Sequence, residues 1–198
     1  MAYTYYDSKT DGTIDTEIQS GVTGNLFSSV TVAERISGDD EFKKMWISSD
    51  SDLTAYIGIN SYTAYGQNIF LSANEADAVG DLTGSETRYG ALKVVSATAS
   101  AIKVTEDEFY TLARVGDIFV VESAPYEIAT ITDNGDGTID IVATIDYVAL
   151  PPADAFVTTM FTLSLTTAVA KPFWCERKIT AGASWSGGNV VVDLKIGN

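Results

Sequence analysis

Along this chain apolar and polar residues alternate with a period of two much more often than they recur at the three-to-four spacing of a helix. Residues 42–49 (FKKMWISS), 53–60 (LTAYIGIN) and 67–73 (QNIFLSA) show the pattern first. Residues 92–98, 101–104, 117–122, 126–132 and 138–145 follow, and then 156–165, 173–180 and 189–196. About eleven short strand-like segments separated by turn signals predict an all-β fold. Helical periodicity is confined to residues 75–84 and 105–116; in the second, Thr105 is placed as an N-cap with Glu108 three residues on and Gly116 as a stop.

The turn signal with the most chemistry in it is TDNGDGTID, residues 132–140, whose aspartates and glycines resemble a calcium loop. With Gly137 at the sixth position of such a loop, the first position holds Thr132 and the twelfth Ala143, so both anchoring carboxylates are missing. The flanks alternate as strands do, Ile128, Thr130 and Thr132 against Ile139, Ile141 and Ala143. DNGDG then supplies residues that tolerate positive φ, and the stretch is expected to be a β-hairpin. The related DGTID at residues 11–15 has no such flanks and reads as a polar turn.

Composition narrows the function classes. The chain has 198 residues, enough for one good core or a core with a small insert. Its formal charge of −15 would repel phosphates, and no basic cluster offsets it, which argues against direct nucleic-acid binding. There is no histidine, which removes the commonest general base and most zinc sites. The single cysteine, Cys175, beside Phe173 and Trp174, reads as a small buried hydrophobe. The N-terminus lacks the pattern of a secretory signal, and no apolar run approaches the length of a bilayer span, so neither membrane association nor secretion is expected. No cofactor motif is present.

Residues 1–20 differ in composition from the rest. Tyr3, Tyr5 and Tyr6 precede a polar stretch too poor in apolar residues to form its own core. Two readings stay open, a frayed terminus and an extended arm whose tyrosines anchor on a neighbouring subunit. Trp46 and Trp174 read as core, whereas Trp185, within ASWSGGN, is the tryptophan placed to anchor an interface. The acidic runs at 37–42, 74–78 and 106–108 could hold an acid and a base, with Asp39 and Glu41 the foremost pair, but solvated turns are the commoner use of such runs. Tyr56, Tyr62 and Tyr65 could line a sugar-stacking surface, which keeps a carbohydrate-binding module as a competing class.

Two blocks of the chain are similar to small β-rich virion proteins of tailed bacteriophages. In residues 25–59, Phe27, Val30, Glu34, Gly38, Asp39, Glu41 and Phe42 stand where such proteins carry an F-x-x-V stretch, an acidic residue and a Gly-Asp-x-Glu-Tyr-Arg type strand. Lys43 replaces the usual arginine, and residues 49–52 replace the asparagine turn. In residues 171–198, Arg177, Ile179, Ala181 and Gly182 fit the closing strands of the same proteins, with Thr180 in place of a proline. The resemblance implies a non-enzymatic subunit of the virion, made in the host cytoplasm, that contacts copies of itself and other virion proteins as a homo-oligomer in the neck, collar or tail. A head-decoration protein is the alternative within that class. The resemblance carries no catalytic residue. Two separated blocks also suggest a discontinuous β-sandwich from residues 21–75 and 160–198, with 76–159 inserted as a small barrel-like β unit.

Overall fold

The structure, a computed structural model, describes residues 2–9, 13–18, 27, 30–59, 67–73, 87–105, 114–182 and 194–197. The first elements in chain order are β1 (Tyr3–Ser8), β2 (Ile14–Glu17), α1 (Val32–Ser37), β3 (Asp39–Ser49), β4 (Leu53–Ile59), β5 (Gln67–Ser72), β6 (Ala91–Ala97) and β7 (Ile102–Thr105). They are followed by β8 (Ile118–Val121), β9 (Ala124–Asp133), β10 (Thr138–Ala143), β11 (Phe156–Leu165), β12 (Lys171–Ile179) and β13 (Leu194–Gly197). The fold is all-β and sandwich-like, with two antiparallel sheets. The helices expected over 75–84 and 105–116 fall largely outside the described residues.

The chain divides into two compact units, Met1–Ala55 with Thr63–Glu86 and Leu163–Val192, and Tyr56–Tyr62 with Thr87–Thr162 and Asp193–Asn198. One division, between Glu86 and Thr87, falls within the polar stretch around 75–88, and others fall inside β4 and β11.

The first unit holds a five-stranded sheet in the order β2-β1-β3-β12-β5. Its centre is the nine-residue antiparallel register of β3 with β12, from Lys171↔Ile47 to Ile179↔Asp39. Successive residues point to opposite faces, so Met45 and Ile47 share one face with Phe173, Cys175 and Ile179, all buried. Pro172, Trp174 and Phe70 are buried on the other. Central strands covered on both faces read as nearly continuous apolar runs, as FWC does.

The second unit holds most of the eight-stranded sheet β13-β4-β11-β6-β7-β10-β9-β8, in which β8 also pairs with β11. That extra pairing, Thr158↔Val120 to Met160↔Ile118, closes β11-β6-β7-β10-β9-β8 into a ring of six antiparallel strands. Closure removes the edges of those strands. Ile139 and Ile141 lie opposite Val104 and Ile102, and all four are buried. Tyr147 packs edge-on against Tyr126 at 4.9 Å between ring centroids and against Phe119 at 6.3 Å. Its hydroxyl donates to the Ile141 carbonyl at 3.0 Å, so the buried phenol oxygen is satisfied.

Candidate functional site

The residues that carry the virion-protein resemblance are dispersed in sequence, and in the first unit they meet around one side chain, Arg177 on β12. The register puts Arg177 directly opposite Glu41 on β3, and the two form an ion pair. Arg177 is 6% exposed at its side chain and Glu41 is 31% exposed. The Arg177 guanidinium also lies 5.0 Å from the centroid of the Phe27 ring, a cation–π distance. One register step along, Lys178 faces Asp40 and their ion pair is 3.0 Å. Opposite charges facing each other across two central strands fix the register as well as adding energy.

Helix α1 frames this node. Thr31 is its N-cap; the Thr31 hydroxyl accepts from the Glu34 N–H at 3.2 Å, and the Thr31 N–H donates to the Glu34 carboxylate at 2.5 Å. That reciprocal capping box satisfies two orphan donors of a six-residue helix with no buried residue. The Thr31 backbone bond holds the Glu34 carboxyl below its ordinary range, with the Thr31 hydroxyl and the charge of Arg177 as smaller contributions in the same direction. Gly38 follows the helix at φ +77°, and a Cβ there would lie 3.0 Å from the Ile179 carbonyl oxygen and 3.2 Å from the Ala181 nitrogen. Both the backbone conformation and the close approach call for glycine. The Gly182 N–H donates to the Arg35 carbonyl at 2.8 Å, tying the end of the second block back to the helix of the first. Thus Phe27, Glu34, Gly38 and Glu41 of one block contact or electrostatically sense Arg177, Ile179 and Ala181 of the other, while Gly182 is bonded to Arg35.

Chemically the node is a structural clamp. Glu41 is engaged by Arg177 and Asp40 by Lys178, and Asp39 is an exposed residue at the strand start. Lys43, which replaces arginine in the resemblance, forms a 2.9 Å ion pair with Asp7 of β1.

The tyrosines expected to anchor on a neighbour are held within this chain. β1 pairs with β3 from Tyr3↔Ser49 to Tyr6↔Trp46, and with β2 on its other side. The segment expected as an extended arm or a frayed end is therefore a hairpin on the β3 edge. Its alternation of Tyr and small polar residues meets the need of a half-covered strand, which its low apolar content concealed. Tyr3, Tyr5 and Tyr6 are all half-buried. Burial, with Tyr3 adding to it, pushes the Tyr5 phenol up to about 12. Beside Tyr6, the Trp46 indole N–H donates to the Ser8 hydroxyl at 3.1 Å, and that hydroxyl donates to the Lys44 carbonyl at 2.6 Å. Trp185, Tyr62 and Tyr65 lie outside the described residues; Tyr56 is half-buried on β4.

The DNGDG stretch is the tip of the β9–β10 hairpin. Gly135 and Gly137 have φ of +69° and +79°. Asp133 accepts from the Gly135 N–H at 2.7 Å, and Asp136 accepts from the Thr138 N–H at 3.1 Å and the Thr138 hydroxyl at 2.5 Å. The hydroxyl bond is the main reason the Asp136 carboxyl sits below its ordinary range. These carboxylates serve the turn itself, as Asx-type turns do.

The helix α1 was missed in the sequence, although T-x-x-E at Thr31 and Glu34 is the capping-box signature. A six-residue helix offers too few turns to raise a periodic signal. No family model matches the chain, and neither a curated protein nor a solved structure does.

Proposed function

We propose that this protein is a non-enzymatic structural subunit of a tailed-phage particle, placed in the neck, collar or tail and working through repeated contacts with copies of itself and with other virion proteins. The observation that supports the reading is the convergence at Arg177. Two blocks singled out by their likeness to phage virion proteins, and far apart in sequence, supply opposite sides of one ion-paired clamp. Two compact β units with acidic overall charge also suit a part that must stay soluble until it is assembled.

The test is to purify the particles of the phage that encodes the chain, identify their proteins by mass spectrometry, and label the particles with gold-conjugated antibody to this chain. Label at the neck or tail is the expected result. Label over the head surface would move the protein to the decoration class. A chain abundant in infected cells but absent from purified particles would overturn the virion reading.

A further inference from the structure

The tip of the β9–β10 hairpin carries a side-chain amide next to an unhindered backbone nitrogen. Asn134 precedes Gly135, whereas the other asparagines of the chain precede Leu26, Ser61, Ile69, Glu75 and Val190 or stand at 198. Asparagine is among the chemically labile residues. A following residue with no Cβ leaves its nitrogen open to the preceding side chain. Residues 132–137 are all exposed, so water reaches both groups.

The contacts around Asn134 bear on what these groups do. The Asp133 carboxylate accepts from the Gly135 N–H at 2.7 Å, which places a proton acceptor on that nitrogen. The Asn134 N–H donates to the Thr138 carbonyl at 3.0 Å and fixes the residue in the turn. Its side-chain amide donates to the Thr138 hydroxyl at 3.1 Å, a single exposed bond that water replaces readily. The same hairpin holds its own comparison at Asp136, which also precedes a glycine. That carboxylate accepts from the Thr138 N–H at 3.1 Å and the Thr138 hydroxyl at 2.5 Å, and both bonds favour the ionised form. A carboxylate anion is a poor electrophile, and Asn134 is the reactive member of the two.

We infer that Asn134 is a site of self-modification, at which the Gly135 nitrogen attacks Asn134 Cγ and converts the amide to an acid. The Gly135 proton passes to the Asp133 carboxylate as the new N–C bond closes a five-membered imide. The bond from Cγ to the side-chain nitrogen breaks, and the leaving group takes the proton from Asp133 and departs as ammonia. Water then opens the imide at either carbonyl, leaving aspartate or isoaspartate at 134. Both products add one negative charge to a chain that carries −15. Isoaspartate also lengthens the main chain by one methylene, which shifts the frame shared by the bonds to Thr138 and Asp133. The paired strands begin below the tip, at Ile139↔Asp133, so the change is confined to the turn. The inference is independent of the virion reading.

The experiment incubates the purified full chain in near-neutral buffer for several weeks beside an Asp133→Asn variant, which keeps a side-chain carbonyl for the Gly135 N–H and removes the carboxylate. Far-UV circular dichroism checks that both are folded. Peptide mapping by mass spectrometry reads amide-to-acid conversion at every asparagine, and methyl transfer specific for isoaspartate reads the product that the imide route makes. The expected result is conversion at Asn134 ahead of every other asparagine, with isoaspartate at that position. The variant should slow it roughly tenfold, below the range of a fully positioned general base. A folded chain that keeps Asn134 intact while a sample unfolded in urea converts it would overturn the inference. Conversion without isoaspartate would do the same, and so would an unchanged rate in Asp133→Asn.

Discussion

Replacing Glu41 by Gln keeps the shape of the side chain and removes the charge that faces Arg177. An exposed ion pair contributes about 0.2–1 kcal/mol, while deleting one partner of a fully buried pair costs about 3–5 kcal/mol because the remaining charge is stranded. Here the cation is 6% exposed and the carboxylate 31%. The group that loses this partner would be the buried one, but it keeps the Phe27 ring and the nearby Glu34 charge, so the loss should fall between the limits, at about 2 kcal/mol. For a chain of this size that corresponds to a drop in Tm of about 4–8 °C. Urea unfolding followed by tryptophan fluorescence reads the affected unit, since Trp46 on β3 and Trp174 on β12 both lie in it. A partner variant supplies the decisive comparison. Arg177→Met/Glu41→Gln removes both charges, and if stranding is the cause it should be more stable than Glu41→Gln alone. A single-variant loss under about 0.5 kcal/mol would refute the clamp. So would a double variant that recovers nothing.

Other expectations follow from the same geometry. Burial, with the Glu176 charge adding to it, pushes the Cys175 thiol far above its ordinary range, so a thiol-specific chromogenic reagent should fail to label the native chain and should label it stoichiometrically once unfolded. The Tyr5 and Tyr147 phenols are each raised from 10.0 to about 12. A raised pKa favours the fold fully below the unfolded value, so stability should decline as pH climbs from 10 towards 12, and ultraviolet titration should find late-ionising phenols, with Tyr5→Phe and Tyr147→Phe each removing one. At Gly58 an added Cβ would sit 2.5 Å from Met160 Cγ and 3.1 Å from the Thr159 carbonyl oxygen. Gly58→Ala should therefore cost about 1–3 kcal/mol by thermal melting, and Met160→Ala in the same chain should recover part of that loss.

The strands were legible because period-two alternation and turn residues are local properties. β11 appears over the same residues the alternation marks, and the hairpin at 134–137 follows from asparagine and glycine alone. What escaped was information carried between distant residues. The closing of β8 onto β11 depends on the register Thr159↔Phe119, which nothing in either strand announces. Glu41 and Arg177 lie 136 positions apart, and each looks like an ordinary surface charge until the register of β3 with β12 brings them together. Lys44, at 2% exposure with its ammonium 5.0 Å from the Trp46 ring centroid, is another buried cation that composition would assign to solvent. The pairing of β1 with β3 escaped for the opposite reason: a strand that borrows its cover from a neighbour needs little apolar content of its own.

That last point changes how assembly can be tested. Removing residues 1–20 would be the natural probe of a reaching arm, with loss of the oligomer taken as proof. In this structure the same cut strips β1 and β2 from the sheet and leaves Trp46 to Ser49 of β3 as a bare edge, with Trp46 only half-buried. Lys43 would lose Asp7, and the indole N–H of Trp46 would lose the Ser8 hydroxyl. An exposed edge of that kind pairs with whatever strand it meets, so the shortened chain should form larger, heterogeneous species instead of falling to monomers. Any change in mass after the cut would then report damage to the β3 edge and say nothing about subunit contacts. Exposed point substitutions such as Val148→Asp leave both sheets intact, and only they can separate a lost contact from a lost strand.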